Sequence, residues 1–365
     1  MIIRILVFIL FIPMFFMSCK GRPTISELEV TIDGPLTNLF IRDCCGFTGG
    51  DGTYSVALPD GRNAWIFGDT FIGSVNKDKS RKKLSPMYVR NSMVIQDGDS
   101  LTTLFTGTLT NYSSLVIHPA VQEENTSLTE DSIWFWPGDG FVEDNLLKVF
   151  LSEFTQFDTG MWNFKWEGTW LAYFTLPDIK LEKLERITKS TGNNVHYGHA
   201  TYLGNEFTYV YGAKEGKPHV ARYEKGNVHG NWEFYNGKTW CSNPNNSAPM
   251  VNVDGSEQFS VFKLNDKFVF ITQMGSLSPD ICSFVSDTPY GTWKNQSLLY
   301  STPLPADNDN IFTYNALAHP QFIKDGSLLI SYNTNSFILA DHFVNADIYR
   351  PRFIRVPLKL IDPDF

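Results

Sequence analysis

A strand, a tight polar turn and a second strand recur five times along this chain. That recurrence limits the fold more than any bulk property does. The first copy runs from Gly49 to Thr70, with apolar stretches on either side of Pro59-Asp60-Gly61-Arg62. An Asp-Gly pair between two apolar runs is a strong hairpin signal. Residues equidistant from such a turn face each other, so folding about Asp60 sets Asp51 against Asp69. The later copies turn at Glu143-Asp144-Asn145, Gly204-Asn205, Asn265-Asp266 and Asp325-Gly326, roughly 60 residues apart. That interval is near the length of a propeller blade. The first interval is longer, by about the size of a polar, irregular stretch at residues 107–130.

Most of the hairpins are followed by a third strand and a Trp-containing fourth, as in His219 to Tyr223 with Trp232 to Tyr235, and Ile281 to Ser286 with Trp293 to Leu299. Almost no helical periodicity lies between them. Residues 180–187 fit either a short helix or a fourth strand. The expectation is an all-β fold, a five-bladed β-propeller of four-stranded antiparallel blades. A two-sheet sandwich with a second domain is the other reading, but it supplies short strand intervals without a long repeat. Residues 20–40 read as a polar linker and a first strand near Leu28 to Ile32. Residues 41–365 read as one propeller domain.

Hydrophobic residues make up 42% of the chain and charged residues 19%, which places it among globular proteins. The net charge of −9 argues against nucleic acid as a partner, because phosphate contacts need clustered Lys and Arg. The basic run Lys77 to Lys83 contains Asp78 and Ser80 and reads as a solvated loop. At the N-terminus, Arg4 precedes the short apolar run Ile5 to Met17, and Ser18-Cys19 follows. A small residue directly before a cysteine there fits a bacterial lipoprotein signal peptide over residues 1–19, with Cys19 as the lipidated residue. A plain secretory peptide is the alternative. The expected location is the bacterial cell envelope, lipid-anchored and facing outside the cytoplasm, and the expected state is a monomer. The spacing of Cys44, Cys45, Cys241 and Cys282 specifies neither disulfides nor a zinc site.

In a propeller the first strand of each blade lines the central channel, so distance from the hairpin turn measures depth. Asp51, Glu257 and Asn315 lie about eight to ten residues before their turns, near the mouth. Asp139, His199 and His319 lie about five or six before theirs, one layer deeper. Asp69 returns to the mouth on the second strand, with Trp136 and Tyr197 beside the ring. Aromatic residues, 15% of the chain, stack on sugar faces. A ring of carboxylates, imidazoles and an amide suits glycoside hydrolysis, in which one carboxylic acid protonates the leaving oxygen and a carboxylate activates water. The assignment is Asp51 as general base, Glu257 as general acid, and Asp139 or Asp69 as the tuning carboxylate, with an inverting outcome. Asp69, Trp136, Tyr197, His199, Asn315 and His319 are the candidate substrate-binding residues. Asp51 and Asp69 could instead cap strand ends or make Asx turns, Asp139 could be a turn aspartate, Glu257 a solvated strand start, and His199 and His319 satisfied core histidines. No cofactor and no metal ligand set is called, although His319 leaves room for a cation at the axis. Gly-x-Ser-x-Gly, phosphate-loop and His-Glu-x-x-His patterns are absent. A glycan-binding surface lipoprotein without turnover is the alternative to an enzyme.

Four motifs carry a family resemblance: Gly-Gly-Asp-Gly-Thr-Tyr-Ser from Gly49, Trp-Ile-Phe-Gly-Asp-Thr from Trp65, Trp-Pro-Gly-Asp-Gly from Trp136, and Ser-Asp-Thr-Pro-Tyr-Gly-Thr-Trp from Ser286. Over most of residues 40–360 the chain resembles secreted bacterial propeller proteins filed as domains of unknown function. These are similar to arabinanase-type five-bladed glycosidases, and some relatives are implied to be endo-D-arabinanases. The arabinanase pattern of Asp, Asp and Glu on the first three blades implies roles for Asp51 and Asp139. The third blade offers His199 and no Glu, which leaves Glu153 and Glu167 as substitutes for Glu257.

Overall fold

The structure, a computed structural model, describes residues 28–365 apart from 85, 161, 190, 191 and 276. Cys19 and the whole of the signal segment lie outside the described residues.

Five antiparallel sheets follow one another along the chain. Blade one holds Tyr54–Ala57, Asn63–Phe67, Ser92–Asp97 and Ser100–Leu104. Blade two holds Ile133–Glu143, Leu146–Gln156, Phe164–Thr175 and Leu181–Arg186, so the ambiguous 180–187 segment is a strand. Blade three, His196–Leu203, Phe207–Lys214, Lys217–Glu224 and Trp232–Tyr235, adds a fifth short strand, Trp240–Cys241. Blade four is Phe259–Leu264, Lys267–Gln273, Asp280–Ser286 and Lys294–Ser301. Blade five is Ile311–Lys324, Ser327–Ser336 and Arg352–Pro357, completed on its outer edge by Thr31–Ile32 from the start of the chain. This N-terminal strand hands blade five its fourth strand and ties the two ends of the chain together.

The apolar core is divided into five slabs, one between each pair of successive blades. Blades one and two share Tyr54, Ile66, Phe135 and Val149, while blades two and three share Phe150, Leu171, Tyr197 and Trp232. The slab between blades five and one is built from Phe40, Phe47, Trp65, Phe67 and Phe353. Each sheet thereby buries both faces against its neighbours in the ring.

The blade-one hairpin keeps the register set by its turn. Tyr54 pairs with Ile66 and Ala57 with Asn63, and beyond a break Gly49 pairs with Phe71 and Gly50 with Thr70. Asp51 and Asp69 sit in that break, where Gly68 N–H donates to the Asp51 carbonyl at 2.8 Å. The irregular 107–130 segment contains a small ribbon, Thr106–Thr108 with Asn111–Ser113, and a single turn at Pro119–Val121. Among the described residues all four cysteines are unpaired. No described helix is long and apolar enough to cross a membrane.

Candidate active site

The inner strands break register at one common level. In blade two the shift falls between Pro137 and Gly140, in blade three between Tyr197 and Ala200, and in blade five between Tyr314 and Leu317. A bulge of this kind re-aims side chains that a regular pleat would alternate. The residues inside these breaks include Asp139, His199 and Asn315. Asp51 occupies the matching break in blade one, and Glu257 shortly precedes the first strand of blade four.

At this level opens a cavity of about 900 Å³. Asp51, Asp69, Trp136, His199, Glu257 and Asn315 all line it, as the sequence placed them. Its walls are largely aromatic, with Trp134, Phe154, Phe164 and Trp166 inside and the half-exposed Trp162 at the rim. Three of the sequence-selected residues lie elsewhere. Tyr197 is buried in the slab between blades two and three, with its hydroxyl 3.1 Å from Ser247 Oγ. His319 is fully buried, its Nδ1 2.6 Å from Ser55 Oγ and its Nε2 2.9 Å from Ser331 Oγ, with Trp65 packed edge-on. Burial pushes its imidazole down to about 3, and with both nitrogens engaged it has no free donor atom for an axial cation. Asp139 is not among the residues lining the cavity and cross-links blades two and three: one oxygen accepts from Thr201 N–H at 2.7 Å, the other from Gly140 N–H at 2.9 Å. Depth counted from the turn failed for these three because it fixes level along the strand and not the face to which a bulged residue points.

Asp51 and Asp69 form the charged centre of the cavity. Burial and the neighbouring Asp69 push the Asp51 carboxyl up to about 7. Its Oδ2 accepts from the Tyr314 hydroxyl at 2.5 Å. Tyr314 accepts in turn from Asn335 Nδ2 at 2.9 Å, and His342 Nε2 lies 2.8 Å from Asn335 Oδ1. This chain holds Asp51 in one orientation. Burial raises Asp69 as well, against the pull of Arg90, whose Nη1 is 3.4 Å from Asp69 Oδ2, and of the Trp136 indole, which donates to Oδ1 at 2.8 Å. With a cation and an N–H beside it, Asp69 is the member of the pair on which negative charge is better accommodated.

Glu257 is exposed along the cavity wall, yet burial by the surrounding protein raises its carboxyl. One donor atom each from His196, His199 and Glu257 lies within 4.8 Å of the others. The two substitutes for the acid are excluded by place and charge. Glu153 is buried beside Trp170, Arg186 and His118, and Glu167 is tied to Thr155 and Lys165; both carboxyls are lowered and neither lines the cavity. Sequence reasoning missed Arg90, His196, Tyr314 and Tyr349, the last a cavity-lining residue that also hydrogen-bonds Asp51. Tyr314 and His196 stand within three residues of selected positions and were within reach of the bulge pattern. Arg90 and Tyr349 come from a strand approach and a C-terminal turn that carry no local signal.

Comparisons with other proteins agree on the fold. A protein from Bacteroides ovatus ATCC 8483, provisionally described as a hydrolase, is similar at 25% identity and a TM-score of 0.76, with 90% of each chain covered. A Dyadobacter fermentans DSM 18053 protein of unknown function overlaps at 10% identity and a TM-score of 0.50, covering 90% of this chain and 98% of its own. A glycoside hydrolase family 43 protein of a Bacteroides ovatus xyloglucan locus overlaps at 10% identity and a TM-score of 0.49, covering 89% of this chain and 54% of its own, too low to carry an argument. No curated protein matches. Residues 33–358 match the family described as a domain of unknown function, DUF5005, and the chain belongs to that family.

Proposed function

We propose that the protein is a glycoside hydrolase that takes a poly- or oligosaccharide into the aromatic cavity, with Asp51 and Asp69 as its acid and base. The observation that carries this reading is a partly buried carboxyl pair whose two members have different surroundings. Asp51 at about 7 holds a proton near neutrality, and Arg90 beside Asp69 favours the charged form of that carboxyl. Such separation is how two like side chains acquire opposite roles. Asp51 gives its proton to the glycosidic oxygen as the bond to the anomeric carbon breaks. Asp69 takes a proton from the water that adds to that carbon, and the pair then exchanges its proton with solvent. The roles differ from the sequence expectation, which had Asp51 as base and Glu257 as acid; Glu257 becomes a wall residue of the same cavity. Similarity to a protein described as a hydrolase is consistent with this and adds no substrate.

The test is product release from a panel of plant and bacterial polysaccharides. Asp51→Asn and Asp69→Asn are each expected to lower turnover by roughly 10²–10⁴-fold, the usual worth of a general acid or base, while Asp266→Asn, on the distant blade-four turn, leaves it intact. Saturable glycan binding with no product from any substrate would replace the enzyme with a binding protein. For location, we infer that Cys19 is the lipid-bearing residue of an envelope protein, on the strength of Arg4, the apolar run and Ser18-Cys19. Cys19→Ser is expected to move the protein from the membrane fraction to the soluble fraction; unchanged fractionation would rule the anchor out.

A further inference from the structure

His196 and His199 are three residues apart on one strand, and a regular strand would send them to opposite faces. The blade-three bulge, with Gly198 at φ +112°, instead brings their rings to a centroid separation of 4.2 Å. Glu257 from blade four joins them, with one donor atom from each of the three within 4.8 Å of the others. All three line the cavity. His199 is only 5% exposed, and neither of its ring nitrogens has a hydrogen-bond partner. A buried imidazole with both nitrogens unmet is costly and calls for a ligand.

We propose that His196, His199 and Glu257 bind a divalent first-row transition metal ion of the zinc class, with a remaining coordination position open to the cavity. Two imidazole nitrogens and one carboxylate oxygen are a known zinc donor set, whereas calcium and magnesium take oxygen ligands. Ser152 Oγ is hydrogen-bonded to His196 Nε2 and fixes that ring, as outer-sphere partners of ligand histidines do. Trp166 and Phe259 pack beside His196 and His199, supplying an apolar shell. Donor atoms around a tetrahedral zinc stand about 3.3 Å apart given bond lengths near 2 Å, so the trio must close somewhat, and the exposed Glu257 is the arm able to move. The open position would take water or a hydroxyl or carboxylate oxygen of a bound ligand. None of this rests on Asp51 and Asp69 acting as a hydrolytic pair.

Chelator-treated protein is titrated with Co²⁺ and followed by visible absorption, then challenged with Zn²⁺. About one Co²⁺ per chain with tetrahedral-type bands, displaced by Zn²⁺, is the expected result. His199→Ala should weaken Co²⁺ binding by at least ~100-fold and Glu257→Gln by at least ~10-fold, the scale at which even supporting residues of metal sites act. His229→Ala, on an exposed side chain, should leave it unchanged. Circular dichroism establishes that each variant is folded; if His199→Ala is not, Glu257→Gln decides. Absence of stoichiometric binding, or an affinity within about twofold of the parent in folded Glu257→Gln, overturns the site.

Discussion

Arg90 sets the charge of the cavity. Its guanidinium reaches Asp69 and Asp131 at 3.4 and 3.3 Å and lies 4.2 Å from the Trp134 ring centre. Arg90→Gln would leave Asp69 buried without a cation, so the pair would hold its proton more tightly on both members. Turnover at pH 7 is expected to fall at least ~10-fold with its optimum displaced to higher pH, read from a pH–rate profile. In the parent, activity should decline on the alkaline side as Asp51 loses its proton above about 7. Stability responds with a sign of its own. Asp139 and Asp51 are both raised to about 7 in the folded protein from an ordinary 3.8. The fold therefore binds more protons than the unfolded chain between those values. Its contribution is complete below the unfolded pKa and is lost as pH rises through the folded one, at up to ~1.4 kcal/mol per pH unit for each group. Thermal unfolding should show Tm falling from pH 5 to pH 8, and Asp139→Asn should flatten that fall.

At the scale of the element, the bulges decide what the blades can present. Gly138 lies in the blade-two break against the backbone of blade three, where an added Cβ would stand 2.1 Å from the Gly198 carbonyl oxygen. Gly138→Ala must push the two inner strands apart and is expected to cost about 1–3 kcal/mol, measured by denaturant unfolding. Gly68 serves the site itself, since a Cβ there would fall 2.6 Å from Asp51 Oδ1. Gly68→Ala is expected to displace that carboxyl and lower turnover more than it lowers Tm. The hairpins were legible in the sequence because turn chemistry is local: Asp60-Gly61 and Asp325-Gly326 announce themselves within a few residues. The bulges were not, because a period-two reading assumes an unbroken pleat. Trp136, read as lying beside the ring, proved to hold Asp69 directly, while Tyr197 faced the other way into the slab.

For the whole molecule, closure depends on a short N-terminal strand. Thr31 and Ile32 pair with Arg355 and Ile354, and Asp33 both caps the Gly34–Leu39 helix and accepts from Arg355 Nε at 2.7 Å. Asp33→Ala removes the cap and the ion pair together and is expected to lower stability by roughly 1–2 kcal/mol, seen as a lower Tm without loss of the residual β signal. The five slabs make blade order a global property, so a fault at this seam weakens the ring as a whole.

By itself the chain determined the repeat, the number of blades, the facing of Asp51 and Asp69, and the choice of an acidic, aromatic opening, because each rests on nearby residues or on a regular interval. Only the tertiary structure decided which member of each break lines the cavity, that Arg90 reaches Asp69 while Tyr314 reaches Asp51, that His319 and Tyr197 serve the core, and that His196 meets His199 and Glu257. Those outcomes arise where backbones from different blades approach and where burial moves a proton, and neither effect is written in the spacing of residues along one strand.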